Sequence, residues 1–149
     1  MTMSSPPDSL TVLTGMYAAE ARYLAAGGPG DASFDLLAPF FAPHVALYQA
    51  DALPYGGVWR GHAGMTRFFL RMGEVWEQFT MVDQEFLATG ETAVVHTQIR
   101  ARAHATGREL SFPLLQAIKV EHGQITEVRP FYWDTRAIAE ACTAPAGGA

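Results

Sequence analysis

At 149 residues and a formal net charge of −5, the chain has room for one domain of ordinary size with a substantial core. Its ten basic residues, nine of them Arg, are scattered, so no basic stripe exists to hold a phosphate backbone and nucleic acid is excluded as a partner. A single cysteine, Cys142, excludes an internal disulfide framework and fits a reducing compartment. Residues 1–8 carry neither a basic nor an apolar leader-like segment. No run approaches the ~18 apolar residues of a membrane span, so a cytoplasmic protein without membrane partners is expected.

The chain reads as one α+β domain over residues 8–142, with 1–7 and 143–149 as flexible termini. Asp8 or Ser9 can cap a first helix carrying Leu10, Leu13, Tyr17, Ala21 and Leu24 at steps of three and four. The Gly27-Gly28-Pro29-Gly30 cluster ends it. Asp31 or Ser33 can cap a second, shorter helix with Leu36, Leu37, Phe40 and Phe41, stopping before Pro43. A strand over 45–49, a loop over 53–57 and a short strand over 58–59 follow. A third helix starts near His62, its stripe made by Met65, Phe68, Phe69, Met72 and Trp76.

The second half is all strand: 79–88, 93–105, 109–121 and 124–133, joined by Thr89-Gly90-Glu91, Thr106-Gly107 and His122-Gly123. Connectors this short imply antiparallel neighbours. Helices followed by hairpins predict three helices from the first half packed on one face of a curved antiparallel sheet. Strands of this length curl, and a curled sheet closed by a helix makes a cone with an apolar pocket.

The run Leu53-Pro54-Tyr55-Gly56-Gly57-Val58-Trp59-Arg60-Gly61-His62 before the Phe68-Phe69 helix, together with Gly123-Gln124-Ile125-Thr126-Glu127-Val128-Arg129-Pro130-Phe131-Tyr132-Trp133-Asp134 at the end, resembles the nuclear transport factor 2-like superfamily. More narrowly it resembles the SnoaL-like branch, over about residues 8–140. That resemblance implies a cone, dimerised through its outer sheet surface, on a fold that hosts isomerases, cyclases, epoxide hydrolases, dehydratases and binding proteins. The ketosteroid isomerases of the superfamily use two carboxylates. The resemblance puts the base at Gln49 and the acid near Gln116, with the assisting tyrosine at Tyr17 or Tyr23. Both carboxylate positions are amides here, which neither take up nor release a proton at neutral pH. They can orient a substrate or donate to a developing oxyanion.

Further candidates come from the residues themselves. Asp134, at the end of the last strand beside Trp133 and on the side of Tyr132, is either a general base at the pocket mouth or the N-cap of a short final helix. His96 and His104 share a strand face but stand ~26 Å apart along it, too far to ligate one metal. His96 enters the cone only if Val94, Gln98 and Arg100 do; the opposite register turns Val95, Thr97, Ile99 and Ala101 inward. Asp51 is the one carboxylate near Gln49. The expected catalytic group set is Asp134, His96, Gln49, Gln116 and Tyr17, with Tyr48, Asp51, Trp59, Phe69, Tyr132 and Trp133 as substrate contacts. No clustered metal ligands, phosphate loop or nucleophile elbow is present, so no cofactor is expected. Aromatic walls suit a flat apolar ligand. Two functions follow: a cyclase, isomerase or dehydratase acting on a polyketide-like intermediate, or a non-catalytic ligand-binding protein. In either case the protein is expected to be a homodimer.

Overall fold

A computed structural model describes residues 7–144; most of both predicted loose ends, 1–6 and 145–149, lies outside the described residues. Helix α1 spans Ser9–Ala25 and is capped by Asp8, whose carboxylate accepts from the Thr11 N–H at 2.9 Å. Gly15 sits mid-helix at a cost in propensity. A Cβ there would come within 2.8 Å of the Phe40 ring, so the close approach of α1 to the next segment requires glycine.

The expected second helix is instead two 3-10 turns, Phe34–Leu36 and Ala38–Phe40. The cause is Pro39, which has no N–H to give and clashes with the fourth preceding carbonyl of an α-helix. The backbone closes with three-residue steps, Leu37 to Phe34 and Phe40 to Leu37. Strand β1 then spans Phe41–Gln49, β2 Gly57–Arg60, and α2 Gly61–Val75. Trp76, expected at the end of that helix, opens β3, Trp76–Thr89. Strands β4 (Thr92–Ala103), β5 (Glu109–Glu121) and β6 (Gln124–Tyr132) form a meander. A short helix α3, Thr135–Ala141, closes the chain. The third α-helix therefore comes from the C-terminal end, not the first half.

All six strands form one sheet in the order β2-β1-β6-β5-β4-β3. The sheet is mixed, not antiparallel throughout: β1 runs parallel to β6, with Leu47 beside Val128. A parallel neighbour needs a long crossover, and α2 with the whole meander supplies one. Extra residues at Val82 in β3 and Thr126 in β6 mark bulges, which bend strands and tighten twist. The bent sheet thus wraps partly around α1 and α2 without closing.

Along β4 the residues Ala93, Val95, Thr97, Ile99, Ala101 and Ala103 are buried and their alternates are not. The more apolar register faces the core, as burial of apolar surface demands. The core fills the space between this face and the two long helices. Its largest buried members include Leu13, Leu37, Val45, Ile99, Ile118 and Ile125.

Candidate active-site cavity

The sheet's concave face and the two long helices enclose a cavity of about 420 Å³, within the size range of small-molecule sites. Its walls are mostly apolar, with Leu47, Phe68, Phe69, Met81 and Ile118 among them. Few polar side chains reach it, and each has a traceable origin.

Tyr17 comes from α1 and Gln116 from β5. The Gln116 Nε2–H donates to the Tyr17 hydroxyl oxygen at 3.3 Å, and the Tyr17 ring stands edge-on to Phe86 at 5.8 Å. Burial raises the Tyr17 phenol well above its usual range and the nearby Glu20 charge adds to this; hydrogen bonding from Gln116 and Gln84 pulls the other way. The hydroxyl oxygen is thus engaged as an acceptor while its hydrogen is left to give.

Gln49, at the end of β1, is buried in the cavity wall and its Oε1 has no partner among the described residues. An unpaired buried polar atom costs about 1–3 kcal/mol, so the site carries an unmet demand for a hydrogen-bond donor.

Among the carboxyls that border the cavity, Glu20 is the more deeply set. It follows Tyr17 by three residues and Met16 by four, so helical geometry puts all three on the inward side of α1. Its half-buried side chain owes its exposure to bordering the cavity. Burial among apolar groups pushes the carboxyl up to about 7, because the low-dielectric setting disfavours the charged form.

A second polar cluster lies where β6, β3 and the β1–β2 loop meet. The Tyr55 hydroxyl donates to the Tyr132 hydroxyl at 2.8 Å. Burial pushes Tyr55 up to about 12 and Tyr132 well above its ordinary value. Trp76 lines the same cavity, with its Nε1–H buried near the Tyr55 hydroxyl but not in hydrogen-bond geometry with it. Exposed Glu77 and His104 also border the cavity, as does Leu24, half exposed at the end of α1.

Of the residues named from sequence, Gln49, Gln116, Tyr17, Phe69 and Tyr132 line the cavity. The other expected site residues are not. His96 is exposed on the outer face, opposite Leu115 on β5 and Glu85 on β3, because the apolar register of β4 turns it out; the histidine that borders the cavity is His104, in the turn after β4. Asp134 is exposed and caps α3, accepting from the Ala137 N–H at 3.0 Å. The alternation that turns Tyr132 inward turns Trp133 outward, leaving it 82% exposed. Tyr48 falls between inward Leu47 and Gln49, so its ring lies on the other face, with the Arg129 guanidinium carbon 4.0 Å from its centroid. Asp51 is exposed in a turn. Trp59 packs on Phe68 and donates its Nε1–H to the Tyr55 carbonyl, outside the cavity lining.

Sequence reasoning missed Glu20 and Trp76. Glu20 had a readable signal, a lone carboxyl in the stripe formed by Leu13, Met16, Tyr17 and Leu24. Trp76 continues the α2 stripe in sequence, and the surroundings of its N–H depend on tertiary packing.

The fold and cavity define a pocket protein of the nuclear transport factor 2-like type. The SnoaL-like domain family matches residues 15–128, and the chain belongs to that family. An NTF2-like protein of Burkholderia xenovorans LB400 superposes with a TM-score of 0.79 at 23% identity, covering 93% of this chain and 98% of that one. TerC, co-crystallised with polyporic acid, gives 0.73 at 18% identity over 89% and 96%. A candidate SnoaL-like polyketide cyclase of Jannaschia sp. CCS1 gives 0.70 at 18% over 97% and 99%. These likenesses establish the fold. No curated protein sequence matches the chain.

Among the described residues no group of three His, Cys, Asp or Glu side chains is placed to hold a metal ion. No described helix is long and apolar enough to cross a membrane.

Proposed function

We propose that the chain is a cofactor-independent enzyme of cyclase, isomerase or dehydratase type, acting on an apolar, polyketide-like intermediate held in the cavity. The observation that carries this reading is Glu20, a carboxyl in an apolar cavity wall one helical turn from a tyrosine hydroxyl. At neutral pH such a group exists in both protonation states and works as base and then acid. Its carboxylate takes a proton from carbon beside a substrate carbonyl. The C–H electron pair becomes the new C=C bond, and the carbonyl π pair moves to oxygen. Tyr17, its own oxygen engaged by Gln116, donates to that oxygen. As the oxygen's pair re-forms the carbonyl, the C=C pair moves along the conjugated system and either takes the proton from Glu20 at another carbon or breaks the bond to a β-hydroxyl, which leaves with the Glu20 proton as water. Gln49 orients the substrate through its unpaired amide oxygen. The like-folded TerC–polyporic acid complex and the polyketide cyclase relative support an oxygenated organic ligand.

The second reading, a container without chemistry, is favoured by one observation: amides occupy Gln49 and Gln116, the positions where the resemblance expects carboxylates. The two readings separate on incubating wild-type and Glu20→Gln protein with cell extract and following metabolites by mass spectrometry. An enzyme consumes a metabolite that the variant binds and leaves unchanged. A container retains the same compound unaltered with both proteins.

The reading includes a cytoplasmic homodimer. Its single thiol suits a reducing compartment. The outer sheet face carries Leu115 opposite Phe131, at 41% and 57% exposure, apolar surface that a second copy would cover. Light scattering at micromolar concentration should give twice the monomer mass; a monomer rejects this part of the reading.

A further inference from the structure

Trp76 and Tyr132 present the cavity with hydrogens that the protein does not use. An indole nitrogen only donates, and that of Trp76, in a residue 4% exposed, lies near the Tyr55 hydroxyl without reaching the geometry of a hydrogen bond to it. Tyr55 and Tyr132 share one hydrogen bond. A pair of hydroxyls joined by one bond uses one of its two hydrogens, so the other is left over whichever way the bond runs. Trp76 and Tyr132 also pack on the same ring, Phe112, with centroids 6.3 and 5.8 Å away. Both line the cavity.

Buried donors without acceptors are rare, because each forfeits its bond to water. A spare phenol hydrogen and an incompletely bonded indole N–H bordering one apolar cavity are what a ligand oxygen would complete. We propose that Trp76 and the Tyr55–Tyr132 pair form an acceptor-binding subsite that takes a carbonyl oxygen of the ligand, distinct from the oxygen held by Tyr17. This deepens the function proposed above and rests on the cavity being a small-molecule site, though not on catalysis by Glu20.

The placement also bears on ligand length. Phe112, between the two donors, and Gln116, which holds Tyr17, are four residues apart on β5, ~13 Å along the strand. A ligand reaching both has two oxygens at the ends of two to three fused rings. Gln49 Oε1, an acceptor without a donor, further selects a hydroxyl on the same molecule.

The test compares 9-fluorenone with fluorene, the same skeleton without the carbonyl, by calorimetry on wild-type, Trp76→Phe, Tyr132→Phe and Tyr17→Phe proteins. Wild type should prefer fluorenone. Trp76→Phe and Tyr132→Phe should each reduce that preference roughly 2- to 12-fold while fluorene affinity stays level. The carbonyl stretch of bound fluorenone should lie below its frequency in hydrocarbon solvent and move back toward it in both variants, a change that a loss of packing alone does not cause. If Trp76→Phe fails to fold, Tyr132→Phe carries the test, since it removes one exchangeable hydrogen and keeps the ring. Absence of carbonyl preference in wild type, failure of both ligands to bind, or loss of the preference only in Tyr17→Phe overturns the proposal. None of these outcomes touches the Glu20 turnover experiment, so the two readings fail separately.

Discussion

Replacing Glu20 by Gln keeps the side chain's shape and removes its charge, and the effect on stability has a definite sign. Burial raises the carboxyl from the usual glutamate value of 4.5 to about 7. Between those values the folded protein binds more protons at this site than the unfolded chain, so stability falls as pH rises through the window. At ~1.4 kcal/mol per pH unit, the full loss is on the order of 3 kcal/mol, reached above pH 7. Below about pH 4.5 the site costs nothing, because it is protonated in both states. The Gln variant has no such loss. Its melting temperature should match wild type near pH 4.5 and exceed it by roughly 6–12 °C at pH 8, taking about 2–4 °C per kcal/mol for a chain of this size. Thermal melts followed by circular dichroism at the two pH values decide the matter. Parallel pH profiles for the two proteins would refute the desolvated carboxyl and with it the basis for Glu20 as an acid–base group.

Gln49→Leu should raise stability by about 1–3 kcal/mol in denaturant unfolding, since it removes a buried acceptor that has no partner at nearly constant volume; binding of hydroxylated ligands should weaken in calorimetry. Asp134→Ala should cost about 1 kcal/mol by loss of the α3 cap, Asp134→Asn only a few tenths, and neither should change turnover in the extract assay.

The reading from sequence succeeded where local pattern and tertiary demand agree. The β4–β5 and β5–β6 connectors carry glycine and turn residues at the expected places, and the α1 stripe includes Leu13 and Tyr17 as read. It fell short where one residue or one distant contact decides. Pro39 converts a helix-like stripe into two 3-10 turns. His96 and its neighbours support either strand register until the whole inward set is weighed. The parallel pairing of β1 with β6 leaves no local mark, because nothing in 41–49 says which strand will lie beside it. Within the cavity, the amides and Tyr17 were visible through resemblance. Glu20 stood in plain sight on the helix stripe, and the Tyr55–Tyr132 bond joins residues 77 positions apart, beyond any periodicity.

That parallel pairing also sets an order of events for the chain as it forms. Leu47 and Val128, side by side in the sheet, are separated by 81 positions, and contacts so distant form slowly because the intervening loop must close first. During synthesis, the β1–β2 hairpin and α2 emerge early but have no sheet centre to join. The meander can zip locally, strand by strand, yet Leu47 and Gln49 stay uncovered on one side until the last strand arrives. The cavity is therefore the final thing assembled. A chain stalled before residue 125 would expose its future lining to other chains, the kind of apolar surface on which aggregation begins.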